Sequence, residues 1–222
     1  MIDLTFDVNL LNHLRANLKR FSKREQVNNG LKEAAVAIII VDNQQGRDIH
    51  GIPFSESWTG HAAMILTRRA SNLRNHTGQW ALLGGRIEAG ESPEETVLRE
   101  LEEEVGLKLD EDRVIGSLDD YSTRSGFVIK PIVVWGCPDI TLKANPDEVA
   151  SVHRIPLAEF MRDDAPVFQE IPESENPVLF MPIGNTSIAA PTAAMIYQFR
   201  EVALFGNDIR VAHYEQPHFA WQ

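Results

Sequence analysis

The chain is poor in cysteine. Its 222 residues include one, Cys137, so no disulfide can form within it, and a reducing, cytoplasmic setting is expected. Cys137 ends an apolar run with no charged activator beside it and reads as structural. Apolar runs of eighteen or more residues are missing, so no membrane-spanning helix, and no membrane partner, is expected. The N-terminus, MIDLTFDVNLLNHLRANLKRF, lacks a basic start followed by an apolar block, which argues against a secretory signal. Basic residues are also in deficit: 21 Lys and Arg against 32 Asp and Glu leave a formal charge of −11, unsuited to general nucleic-acid binding. A metal-bridged anionic substrate is still compatible, because a bound cation reverses the local field. Internal repeats and low-complexity segments are absent as well.

What is present reads as a mixed α/β chain. Leu11, Leu14, Leu18 and Phe21 recur at helical spacing and predict an amphipathic N-terminal helix packing on the rest. Strands are expected at 34–41 (AAVAIIIV), 61–69, 80–85, 127–136 and 148–155, the fourth carrying a proline that suggests an edge or a bulge. Residues 42–60 read as a long polar loop and PLAEFM as a short helix. A last helix is expected from Pro191 to about Phe205, stopped by Gly206. This divides the chain into an N-terminal helix (1–30), a main domain (31–205) and a tail (206–222) with no legible role. Strands with interspersed helices and no strict βαβ period suggest a mixed sheet with helices on its faces.

The densest feature is GGRIEAGESPEETVLRELEEEVGL, residues 84–107, with eight glutamates. Ser92, Pro93 and Glu95 form a capping box that starts a helix, and Gly106 ends it. Val97, Leu98, Leu101 and Val105 share one side, while Glu100, Glu103 and Glu104 crowd a neighbouring arc. Like charges at these spacings cost a few tenths of a kcal/mol each, roughly, and lie where the helix dipole prefers cations. A solvated acidic face is the bland explanation. Against it stands charge segregation: from Ser57 to Ile87 there is no acid, but there are Arg68, Arg69, Arg74 and Arg86. A basic strand–loop beside an acidic helix suits a phosphate held by arginines and metal together.

The register is Gly85, five residues, Glu91, seven residues, Arg99-Glu100-Leu101, one residue, Glu103-Glu104, one residue, Gly106-Leu107. It matches every specified position of the Nudix box, and the chain resembles Nudix hydrolases, which cleave nucleoside diphosphates linked to another moiety. The resemblance implies an α/β (α+β) fold, an α/β/α sandwich with a mixed β-sheet, and glutamates that bind Mg2+ or Mn2+. Upstream, Leu66-Thr67, Arg69-Ala70, Arg74, the run from His76 to Gln79, and Gly84-Gly85 resemble the signature of coenzyme A diphosphatases. So do YSTRSGFVIKP (121–131) and NPDEVASVHRIPL (145–157) downstream. Two departures are Leu82-Leu83, where that subfamily has Phe-Pro, and Ala190-Pro191, where it has Trp-Gly.

By this resemblance Glu100 and Glu104 are the main metal ligands, assisted by Glu103 and the Gly85 carbonyl. Arg99 and Glu91 brace the loop–helix–loop, and the base is Glu100 or Glu103. Glu148, outside the box, is a candidate for metal, base or substrate contact, against a strand-end surface charge. Arg69 and Arg74 suit the phosphates of coenzyme A, including the 3′-phosphate, because a guanidinium fork matches phosphate oxygens. His76 and Gln79 either contact substrate or fix the loop. The expected partner is a small nucleotide of the coenzyme A type, and a homodimer is an allowed assembly. Rival readings are a Nudix hydrolase of another nucleoside diphosphate derivative and a Nudix-fold binder without turnover.

Overall fold

In the computed structural model, residues 2–26, 30–43, 52, 60–70, 78–137 and 140–217 are described. Alternation of small and β-branched residues in KEAAVAIIIVD gives a strand, β1 (Lys32–Asp42), buried on both faces along most of its length. It organises the main sheet. Antiparallel to β1 run β2 (Ala62–Arg69) over one half and β4 (Leu83–Arg86) over the other, with the two-residue β3 (Trp80–Ala81) paired to β2. On its other edge β1 pairs in parallel with β7 (Phe127–Trp135), which carries β5 (Val114–Ser117) and β6 (Tyr121–Ser122). β8 (Val149–Pro156) closes the far side against β2. The sheet is therefore mixed.

Each face of it is covered. Helix α2 (Pro93–Val105) lays Val97, Leu101 and Val105 on Ala35, Ala37, Ile39, Leu83, Ile132 and Val134. The opposite face packs on helix α1 (Val8–Arg20) through Leu10, Leu14 and Leu18, and on helix α3 (Thr192–Phe199). Three layers result, helix, sheet and helices. Because strand side chains alternate, odd residues of β1 face α2 and even ones face α3.

Three differences from the sequence reading have physical reasons. The proline of β7 does not mark an edge, because β7 is interior. Pro131 accepts a hydrogen bond from Leu118 N (3.0 Å) on the side where the ladder breaks between β5 and β6, so its missing N–H leaves no partner unpaired. A second, three-stranded antiparallel sheet was not expected: β9 (Val167–Ile171), β10 (Ser174–Ile183) and β11 (Thr186–Ala189). Finally, the last helix widens after Phe199 into a π turn, Arg200–Leu204, before Gly206 stops it with φ of 73°. Of the loop expected at 42–60, residues 44–51 and 53–59 lie outside the described residues.

The tail is tied down. Arg210 pairs with buried Asp119 (2.8 Å), Tyr121 donates its hydroxyl to Tyr214 O (2.7 Å), and Arg124 pairs with Glu215 (2.6 Å). No helix among the described residues is long and apolar enough to cross a membrane.

Candidate functional site

The site grows from the way α2 begins and ends. Ser92 Oγ accepts from Glu95 N (3.1 Å) and Glu95 accepts from Ser92 N (2.8 Å), completing the capping box. Gly106, with φ of 68°, closes the other end. Helical phase then delivers two sets of carboxylates to two sides.

On one side Arg99 acts as a fork. Its Nε and Nη2 donate to Glu91 (2.7 and 3.1 Å), Nη1 donates to Glu100 (2.8 Å) and Glu103 (3.1 Å), and Nη2 also reaches Arg86 O (3.3 Å). The loop 86–91 is thereby fastened to the helix. Glu91 also accepts from Thr96 Oγ1 (2.8 Å), and these bonds, Arg99 first, hold its carboxyl down at about 2. Arg99 is correspondingly shifted up, chiefly by Glu91. Thr96 is fully buried and braces Glu91; the only signal of it in the sequence is a hydroxyl residue five positions after Glu91.

On the other side three acids converge, Glu100 still holding its bond from Arg99. Carboxylate oxygens of Glu100, Glu104 and Glu148 lie within 4.8 Å of one another, Glu104 being buried and Glu148 exposed. Glu104 Oε2 accepts from Gly84 N (3.0 Å), but burial, with the charges of Glu100 and Glu148 added, pushes its carboxyl up to about 8. Burial also raises Glu100, against the lowering effect of Arg99. Three oxygens at this spacing repel one another, and a hard divalent cation, which takes oxygen ligands, is the chemical complement of the set. The backbone is shaped for the same arrangement. A methyl group at Gly85 would overlap the Glu100 carboxylate, and one at Gly84 (φ 149°) would overlap Ala35 O.

The remaining residues fall around this cluster. Val149, next to Glu148, pairs with Arg69 in the β2–β8 ladder, and Ala70 N donates to Glu148 O (3.0 Å). Arg69 exerts its charge on Glu104, and its Nε is buried with no hydrogen-bond partner among the described residues. Gln79 is fixed by its carbonyl, which accepts from Arg69 N (3.2 Å). Glu103 lies apart, more than half exposed, in the Arg99 group. Arg74 and His76 fall outside the described residues.

Comparison with known proteins follows the same outline. The NUDIX domain family matches residues 32–172. Among curated relatives, the uncharacterized Nudix hydrolase NudL of Yersinia enterocolitica is 42% identical over 100 residues, 45% of this chain and 51% of that protein. NudL of Photorhabdus laumondii is 39% identical over 97 residues, 43% of this chain and 52% of that protein. The match thus spans about half the length of these relatives. A MutT/nudix family protein from Enterococcus faecalis aligns with a TM-score of 0.46 at 17% identity, covering 72% of this chain and 51% of that one. With the family match covering more than half of the 222 residues, the chain belongs to the Nudix family.

Proposed function

We propose that this protein is a divalent-metal-dependent hydrolase of nucleoside diphosphate derivatives. We further propose that it takes the diphosphate of coenzyme A or its derivatives, releasing 3′,5′-ADP and 4′-phosphopantetheine. One observation carries the reaction class: buried Glu104 meets Glu100 and Glu148 within 4.8 Å, with the unpartnered guanidinium Nε of Arg69 near by. A diphosphate needs both elements, because its own negative charge repels a nucleophile.

Glu100, Glu104 and Glu148, with the Gly85 carbonyl, are the groups that would hold Mg2+ or Mn2+. Such an ion would neutralise phosphate charge, make a water more acidic and stabilise the charge that develops on the leaving phosphate. Arg69, whose charge acts on Glu104, binds a phosphate oxygen of the scissile diphosphate through the terminal nitrogens of its guanidinium. Arg99 and Glu91 hold the loop and helix so that the carboxylates keep their positions. Glu103 Oε2 pairs with Arg99, and the proton of the attacking water would go to Glu100 or Glu103. Gln79 fixes the strand end beside Arg69, and Arg74 and His76 contribute from the adjoining segment.

The coenzyme A assignment is supported by the upstream run ILTRRASNLRNHTGQWALLGG, which resembles that subfamily's signature. Where the subfamily has Phe-Pro, Leu82 and Leu83 are both buried, one in each core layer, and β4 begins at Leu83. The test is a panel of coenzyme A, dephospho-coenzyme A, NADH, ADP-ribose and dGTP with Mg2+ or Mn2+, products being separated by chromatography. Coenzyme A is expected to turn over fastest. Faster cleavage of another member overturns the substrate, and no turnover of any member favours a binding protein.

A further inference from the structure

Arg69 and Arg99 serve the side of the sheet that carries α2. The opposite face holds cations of its own. Leu82 and Leu83 lie in opposite core layers, so the alternation of β4 places Arg86 on the face away from α2. Arg86 stands opposite Ala34, Ala34 opposite Ile129, and Lys32 opposite Phe127. The same alternation puts Lys32 and Phe127 on that face. Their side chains meet there: the Arg86 guanidinium lies 5.6 Å from the centre of the Phe127 ring and the Lys32 ammonium 5.8 Å from it. Both cations are exposed, and neither makes an ion pair with a carboxylate among the described residues.

With 32 acids against 21 bases, carboxylates are plentiful, and Lys130 on the α2 side takes both Glu33 and Asp120 (3.6 and 3.2 Å). Two like charges gathered on one aromatic ring repel each other mildly, and the ring quadrupole offsets only part of that. An anion would satisfy both. The strip between them is apolar, Ala34, Val36 and Ile129 being half-buried, which offers a surface to a flat heterocycle. Arg86 directly follows Gly85, so this strip adjoins the carboxylate site while facing away from its acids.

We propose that Arg86 and Lys32, seated on Phe127, form a subsite for a phosphomonoester carried by the substrate's nucleoside, separate from the diphosphate that is cleaved. This rests on the reading above that the substrate is a nucleoside diphosphate derivative. In a coenzyme A type molecule the group is the 3′-phosphate. Arg69, beside Glu104, is then left to the diphosphate. An arginine fork and a lysine point charge together match a phosphate dianion.

Equilibrium binding tests this without turnover. Metal-free protein in EDTA is titrated calorimetrically with 3′,5′-ADP and with 5′-AMP, for wild type, Arg86→Ala, Arg86→Lys and Lys32→Ala. Wild type is expected to hold 3′,5′-ADP about tenfold tighter than 5′-AMP, since the added bonds are charge-assisted. Arg86→Ala and Lys32→Ala should each weaken 3′,5′-ADP several-fold, with 5′-AMP changed less than about twofold, and Arg86→Lys should recover part of the loss. Unaltered thermal midpoints exclude misfolding, because both side chains are exposed. Equal losses for the two nucleotides, no loss, or no preference in wild type overturns the subsite. Failure of coenzyme A in the turnover panel, with the binding preference intact, overturns the substrate and leaves the subsite standing.

Discussion

Glu91 and Glu104 are the same residue type, thirteen positions apart, at the two ends of one loop–helix unit, and their carboxyls are driven in opposite directions. Glu91 receives Arg99, Thr96 and a backbone N–H and falls to about 2. Glu104 is buried beside two other acids with one backbone N–H for compensation, and rises to about 8. The difference separates a brace from a binding group. An acid whose partners are all within the chain has nothing left to offer a ligand, whereas an acid buried without a cation is incomplete until one arrives.

The largest expected effect comes from removing the incomplete acid. Glu104→Gln keeps an oxygen for Gly84 N–H but deletes the charge, so kcat should fall on the order of 10^3-fold with Mg2+ present. In EDTA the same variant should be as stable as wild type at pH 4 and more stable at pH 9, because between those values the unfolded wild-type chain ionises Glu104 before the folded one, which holds it next to Glu100 and Glu148, can do so. Urea denaturation at both pH values checks this. A loss of stability at pH 9 would show that Glu104 is a structural acid and erase the contrast with Glu91.

Removing the brace should cost less. Arg99→Ala frees Glu91, Glu100 and Glu103 together, and a fall in activity of about 10- to 100-fold is expected from loss of positioning alone. The thermal midpoint should drop in parallel, because the 86–91 loop loses its fastening to α2. Arg99→Lys should recover little, since a point charge cannot span Glu91 and Glu100 as the fork does. Activity lost without any change in the midpoint would instead mean that Arg99 touches substrate.

The pH dependence of the metal-free protein then sharpens the comparison. For Glu91 the folded value lies below the unfolded 4.5, so its contribution to stability is present above about 4.5 and is lost as pH falls toward 2. For Glu104 the folded value lies above 4.5, so the unfolded chain releases its proton first and stability declines as pH rises from about 4.5 through 8. Glu91→Gln should flatten the acid limb only, and Glu104→Gln the alkaline limb only. Saturating Mg2+ should abolish the alkaline limb if the cluster binds it. Denaturation midpoints from pH 3 to 9 carry this test.

How far the sequence carried these conclusions depended on whether the information was local. Capping box, terminal glycine and apolar stripe all sit inside α2, and the helix runs from Pro93 to Val105 as they require. β1 and β7 are dense in β-branched residues, β2 and β8 carry short apolar runs, and all four were legible for the same reason. The second sheet was not, because β10 contains Pro177 and Pro182 and its hydrophobic alternation is broken by them. Within the site, the clustering of Glu148 with Glu104 depends on β8 pairing with β2 from 80 residues away, which no local pattern encodes. The missing N–H of Pro131 likewise becomes intelligible only once the gap between β5 and β6 is seen.

The smallest effect should come from the cap itself. Ser92 sits on the Glu91 side, half-buried, and its Oγ satisfies one of the four N–H groups that the first helical turn leaves open. Ser92→Ala deletes that bond and should lower stability by about 1 kcal/mol, and the reciprocal bond from Ser92 N to Glu95 should weaken with it. Activity should stay within about twofold, because Arg99 still fastens the loop. Ser92→Asp should restore stability, since it supplies both an acceptor and a negative charge at the positive end of the helix dipole. Urea melts and kcat measured on the same preparations decide the matter. If Ser92→Ala reduced kcat as strongly as Arg99→Ala does, the positions of Glu100 and Glu104 would depend on the start of the helix, and the two sides of α2 would have to be treated as one coupled unit.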